Sequence, residues 1–443
     1  MRAGWAETDI TPPLGLPMGG RGPRFDAGTE IRDPLITQVL ILEDDGGHRT
    51  LWASIDQLGL DRETGNYLRY TLAELTDTPL AAVIVNFSHT HSAPMTTIAA
   101  YTTDSTPPAA LLAYRDTLVA QTIGAAQQAL ARLRPATVTL HRGASQVGIN
   151  RRNRNAQGNI AMLPNLDGLY LPDLPVFDIR TDAGERALIF SYACHPVIVY
   201  GHAWTAISAE YPGVCRRQLR ATLGATLHCQ FIQGLTGNIR PRIVADLAEQ
   251  RFRKSTPADV EAAGTSLAED VLETLTQPGA PLTLSIRAAT GTFQARRDLN
   301  ARPPLSHWQA QATAENELER NVGRYWVARY AAGTLTQAES WRIGLLQLTP
   351  DILIAWFAGE PVAEWLGHLQ QWLGSDKLMA WGYCQDVCGY IPTDELLPEG
   401  GYEVVEANRF TTNGPGSFAH GLNAAARQEF LAMARQLAWK ITD

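Results

Sequence analysis

The stretch "AAVIVNFSHTH" (residues 81–91) passes from an unbroken apolar run to two imidazoles one residue apart. Its β-branched residues and polar end predict a buried strand over 81–87. Two further stretches share the form. "ALIFSYACHP" (187–196) ends in His195, and "DILIAWFAGEP" (351–361) ends in Glu360. In each, a buried strand delivers a residue of metal-ligand type at its C-terminal end, followed by small residues or proline. Open α/β sheets place their sites at the carboxyl ends of strands, and rigid strand ends hold ligand geometry better than loops.

Outward from these runs, "LITQVLILED" (35–44) and "RTLWASID" (49–56) predict a strand pair around "DDGG". "ATVTLHRG" (136–143) and "PVFDIRT" (175–181) read as further strands. Helical spacing predicts helices over 107–133, 257–275, 306–332, 361–373 and 421–440, the second capped by Thr256 with Pro257 in its first turn. Strands and helices intermix throughout, which predicts an α/β fold with a large mixed sheet flanked by helices. A single domain over residues 1–443 is the expected organisation.

Composition narrows the function. Hydrophobic residues make up 45% and charged ones 19%, a globular balance, with a formal net charge of −8. The densest basic stretch, "NRRNRN" (150–155), is too short to follow a phosphate backbone, so no nucleic-acid partner is expected. No run of eighteen apolar residues marks a transmembrane segment, and "MRAGWAETDITPP" has no signal core, so the expected location is cytoplasmic. The cysteines are Cys194, Cys215, Cys229, Cys384 and Cys388, an odd and scattered set that reads as reduced thiols. The oligomeric state stays open.

Two imidazoles and a carboxylate suit zinc, which accepts both nitrogen and oxygen ligands. His89 and His91, at i and i+2 of an extended chain, share a face and can reach one cavity; the alternative is a pair of polar strand caps. Asp33 and Asp56 follow strand-like runs and either orient a ligand imidazole or cap turns. Glu210 opens a predicted helix, where an acid faces the helix N-terminus. Glycine-rich "GLPMGGRG" (15–22) reads as a loop at the cleft mouth.

"DITPP", "IRDPL", "SHTHSAP", "GINRR", "SYACHP", "SAEYPG", "QGLTGNIRP", "AGEP" and "GYCQDVCGYIPT" occur in one order along residues 3–440. In this order the chain resembles the catalytic domain of the neutral/alkaline ceramidases. It stops where the longer members continue into an immunoglobulin-like C-terminal domain. The resemblance implies a catalytic Zn2+ held by His89, His195, Glu360 and Tyr390. It implies that His91 lies by the reacting carbonyl, that Tyr390 doubles as an oxyanion donor, and that Arg151 faces the substrate. The family's "GDVSP" reads "GNIRP" here. Asn238 and Arg240 are therefore expected to reshape a substrate pocket, with Arg240 and Arg242 recognising an anion or lying on the surface.

The resulting expectation is a zinc-dependent hydrolase that cleaves the amide bond of a small-molecule acyl substrate other than ceramide. Two alternatives stand beside it: a zinc-dependent esterase or lactonase using the same site, and a non-catalytic ligand-binding member of the family, for which Asn238 is the argument.

Overall fold

The computed structural model describes residues 1–20, 26–97, 107–411 and 414–441. Eight strands form the path of the main sheet. They are β1 (Arg2–Asp9), β2 (Ile36–Glu43), β3 (Arg49–Ile55), β4 (Val83–Phe87), β5 (Arg134–Ala144), β6 (Asp173–Thr181), β7 (Arg186–Tyr192) and β8 (His228–Gln233). Their order is β8-β7-β6-β5-β1-β2-β3-β4, and a short ninth strand, Ala280–Pro281, flanks β5. Pairs β3–β4 and β7–β8 are parallel and the others antiparallel, so the sheet is mixed.

A second sheet follows: β9 (Arg287–Arg296), β10 (Ala338–Thr349), β11 (Ile352–Phe357) and β12 (Met379–Trp381), in sequential order. The helices are α1 (Arg62–Thr76), α2 (Ala109–Ala131), α3 (Glu210–Leu223), α4 (Pro257–Thr276), α5 (Leu305–Gln311), α6 (Glu317–Ala331), α7 (Trp365–Leu373) and α8 (Leu422–Gln436).

The alternation of side chains along each strand explains the layering. Val39 and Ile41 pack with Leu68 of α1 and Leu118 of α2. Their neighbours Leu40 and Leu42 share a cluster with Leu346, Ile354 and Trp356 of the second sheet. In β7, Leu188 and Phe190 meet Leu219 of α3 and Leu267 of α4, while Ile189 joins the inter-sheet cluster. The outer face of the second sheet, with Leu345 and Phe357, meets Trp365 of α7 and Phe430 of α8. The molecule is thus layered helix–sheet–sheet–helix. Strands buried on both faces read as continuous apolar runs.

The predicted helix over 306–332 is two helices, separated where the Asn316 side chain accepts from the Glu319 amide and caps the second. Trp308 and Trp326 pack on each other between them. Among the described residues, the ladder between the two halves of the main sheet is limited to Arg2↔Pro135 and Ala3↔Arg134. Side chains bridge what the ladder does not. Gln38 Nε2 donates to Cys229 O at 2.8 Å, Ser54 Oγ to Phe231 O at 2.5 Å, and Asn86 Oδ1 accepts from Gln233 N at 2.8 Å. These bonds satisfy the buried edge of β8 and bring the ends of β4 and β8 together. No helix among the described residues is long and apolar enough to cross a membrane.

Candidate metal centre

The chain leaves β4 through Ser88 and places His89 at φ 64°, a left-handed conformation that side-chain-bearing residues rarely adopt. The turn is held by His89 N donating to Gln57 O at 3.0 Å. His89 Nδ1 donates to Leu58 O at 2.7 Å, and His195 Nδ1, just beyond β7, donates to Thr236 O at 2.7 Å. A carbonyl oxygen only accepts, so both rings carry a proton on Nδ1, the tautomer that leaves Nε2 as the ligand atom. Burial, and then the Arg151 charge, pushes His195 down to about 4, which keeps it neutral near pH 7.

Glu360 arrives from β11 through Gly359, whose φ of 123° excludes other residues and whose added Cβ would lie 2.9 Å from Gly389 O. Glu360–Pro361 pairs in parallel with Tyr390–Ile391, which sets Glu360 opposite Tyr390 by backbone register. Glu360 Oε2 lies 3.2 Å from His89 Nε2 and 3.4 Å from His195 Nε2. The Tyr390 hydroxyl lies 3.4 Å from His195 Nε2.

His91 Nε2 lies 3.3 Å from His89 Nε2, and the ligand atoms of His89, His91 and His195 all fall within 4.8 Å of one another. His91 differs from the others in exposure. His89, His195, Glu360 and Tyr390 are buried, whereas His91 is half-buried. It helps line a cavity of about 1070 Å³ whose apolar wall includes Leu58, Met95, Val119, Ile123, Val387 and Phe410. Arg62 and Arg115 supply cationic groups to the same wall.

The remaining sequence candidates fall elsewhere. Arg151 is buried behind the site, where Nη2 donates to the Tyr390 hydroxyl at 3.0 Å and Nε to Glu403 Oε1 at 2.7 Å. It is not in the cavity wall, nor are Asn238 and Arg240. Asn238 is fully buried; Nδ2 donates to Glu364 Oε2 at 2.8 Å, and Oδ1 accepts from Ala363 N at 2.8 Å. Arg240 stacks its guanidinium 4.8 Å from the Phe252 ring and reaches Tyr200.

Asp56 pairs with Arg216, with Nη1 to Oδ1 at 3.0 Å, and Asp33 accepts from Ser208 Oγ and Ala209 N, each at 2.6 Å. Neither Asp33 nor Asp56 has a hydrogen bond to a histidine of the site among these contacts. Of the glycine-rich loop, Gly20 lines the cavity, and residues 21 and 22 lie outside the described residues. Four of the cysteines are buried, Cys388 is partly so, and all five are free thiols.

Sequence reasoning did not single out Leu58, Thr236, Tyr383 or Glu403. Thr236 and Tyr383 lie inside "QGLTGNIRP" and "GYCQDVCGYIPT", so their position in those motifs was visible and their role was not.

No protein-family model matches the chain, and no curated protein does. Solved structures do match over 100% of it. The neutral ceramidase from Pseudomonas aeruginosa superposes with a TM-score of 0.70 at 15% identity, with 75% of that chain covered. A ceramidase complexed with C2 gives 0.69 at 15% identity, with 76% covered. Identity at this level carries the fold and leaves activity to be argued from the site. The motif order and the superposition agree that this chain has the mixed α/β fold of the neutral ceramidase catalytic domain and is, by fold, neutral ceramidase-like.

Proposed function

We propose that the chain is a zinc-dependent hydrolase that cleaves the amide bond of a small N-acyl substrate. One observation carries the reading. The Nε2 atoms of two imidazoles each lie within 3.4 Å of one carboxylate oxygen, in a buried place. Such a cluster repels itself unless a cation or a proton sits among its members. The donors are those zinc takes, and both Nδ1 atoms are already committed to carbonyls. His89, His195 and Glu360 would hold the ion, and Tyr390 would complete the set.

A zinc ion held there would supply an acidified water and a Lewis acid for the acyl carbonyl. The other work belongs to the chain's own groups. His91, on the cavity side, carries a proton at Nε2 toward the developing oxyanion and then to the leaving amine. Tyr390, oriented by Arg151, donates its hydroxyl to the same oxygen. The apolar wall formed by Leu58, Met95 and Ile123 receives the acyl chain and excludes water.

Asn238, on which the non-catalytic alternative is argued, bonds Glu364 and Ala363 and is not in the cavity wall. Metal analysis of the purified chain, joined to a panel of N-acyl amides and matched esters that includes ceramide, is the test. The expected result is about one zinc per chain, with amide hydrolysis abolished by chelation and restored by zinc. A chain that turns over esters alone would be the esterase or lactonase. A metal-free chain that hydrolyses amides at full rate, or a zinc-loaded chain that hydrolyses nothing, sinks the proposal.

A further inference from the structure

Tyr383 sits behind the centre and is in contact with it on three sides. Its side chain is fully buried and outside the cavity wall, so it does not meet substrate. Its ring lies 4.4 Å, centroid to centroid, from that of His89 and 5.8 Å, edge-on, from that of His195. Its hydroxyl donates to Glu360 Oε2 at 3.4 Å and also bonds the Thr236 side chain. Thr236 in turn holds His195, with Oγ1 2.7 Å from His195 Nδ1.

The backbone of the same residue ties two arriving segments together. Tyr383 N donates to Gly359 O at 2.8 Å, next to Glu360, and Tyr383 O accepts from Phe87 N at 3.0 Å, two residues before His89. Tyr383 adopts φ 54° to do so, and Gln385, two residues on, adopts φ 69°. Left-handed conformations at such residues are strained and persist where surrounding structure over-determines them. A buried hydroxyl beside a carboxylate is a poor choice for core packing alone, since phenylalanine fills almost the same volume without a polar atom to satisfy.

We infer that Tyr383 is a positioning residue that orients Glu360 and His89 as ligands, its hydroxyl donating to the same Oε2 that faces His89 and His195 and so fixing the carboxylate in one orientation. This rests on the zinc-site reading above. Removing a hydrogen-bond partner of a metal ligand typically lowers metal affinity 10–100-fold.

Tyr383→Phe keeps the ring and deletes the hydroxyl; Tyr383→Leu deletes the ring contact to His89 as well. Zinc affinity is measured by chelator competition on wild type and both variants. The visible spectrum of the cobalt(II)-substituted proteins gives a readout that core packing does not move. Expected for Tyr383→Phe are native unfolding behaviour, zinc affinity weakened by about 10–100-fold, an altered cobalt spectrum, and kcat lowered with KM unchanged. Tyr383→Leu should weaken zinc further.

If wild type binds zinc and Tyr383→Phe binds it equally, with the same cobalt spectrum, the role is refuted and the zinc site stands. Wild type that takes up neither zinc nor cobalt overturns both readings. Should Tyr383→Leu fail to fold, the Tyr383→Phe comparison still decides.

Discussion

Arg151 reaches the candidate centre through Tyr390: its Nη2 donates to the Tyr390 hydroxyl at 3.0 Å, and that hydroxyl lies 3.4 Å from His195 Nε2. Glu403 fixes the guanidinium in place, accepting from Arg151 Nε at 2.7 Å and from Arg152 Nη1 at 2.8 Å. On the proposed function, Arg151 would act on the reaction by aiming Tyr390. Arg151→Gln should lower kcat by roughly 10²-fold, the scale of losing one oxyanion donor, with zinc content unchanged. Glu403→Gln removes the shared carboxylate of two buried guanidinium groups and should destabilise the fold by about 3–5 kcal/mol. Steady-state kinetics and denaturant unfolding separate the two effects. An Arg151→Gln protein with wild-type kcat contradicts the aiming role.

His89 and His91 differ in burial, and their variants should differ in kind. His89 is buried with Nδ1 on Leu58 O, while His91 helps line the cavity. His89→Ala should lose both zinc and activity. His91→Ala should keep the zinc and lose roughly 10²- to 10⁴-fold in kcat, the range for a general acid or base. Metal content per chain, read beside kcat, decides it. Equal zinc loss in both variants would place His91 on the ion, as the closeness of the three imidazoles allows.

The strand ends were legible because strands buried on both faces leave long apolar runs, and His89, His195 and Glu360 follow three of them. The second sheet was not, since an apolar face reads the same whether a helix or a sheet covers it; Leu40 and Ile354 carry no mark of facing each other. β1, "RAGWAETD", escaped because only Ala3, Gly4 and Ala6 of its residues are buried, too few for a strand pattern. Arg151 and Asn238 looked like substrate contacts because their hydrogen-bond partners, Glu403 and Glu364, lie 252 and 126 residues away along the chain. The left-handed turn at His89 is imposed by tertiary hydrogen bonds that no local pattern announces.

Asn238 gives a prediction with a pH signature. Its Nδ2 donates to both oxygens of Glu364, at 3.0 and 2.8 Å. Burial raises the Glu364 pKa, with the Asn238 hydrogen bond working against that rise. Asn238→Asp replaces the donor with a second carboxylate facing Glu364. The variant should lose about 1–3 kcal/mol of stability near pH 7, the cost of an unsatisfied buried polar group. One of the two acids then takes up a proton more readily in the folded state than in the unfolded state. The deficit should therefore shrink as pH falls through the carboxylate range. Urea unfolding at pH 5 and pH 8 checks this, and a deficit independent of pH would rule out the carboxylate pair as its cause.

Glu210 ties the segment after His195 to α3 in a way that should make stability fall with rising pH. It opens α3 at φ 59° and is fully buried, and its carboxyl accepts from Val199 N at 2.6 Å. Burial, with Asp33 adding to it, lifts the carboxyl to about 8. The folded protein thus holds a proton that the unfolded chain releases near 4.5. The sign follows from linkage: the contribution is complete below about 4.5 and is lost as pH rises through about 8, at up to about 1.4 kcal/mol per pH unit between. Glu210→Gln keeps an acceptor for Val199 N and removes the titration. Its unfolding free energy should fall less steeply than wild type between pH 5 and pH 8. Parallel profiles for the two proteins would mean that Glu210 is ionised in the fold and that its burial is compensated by other groups.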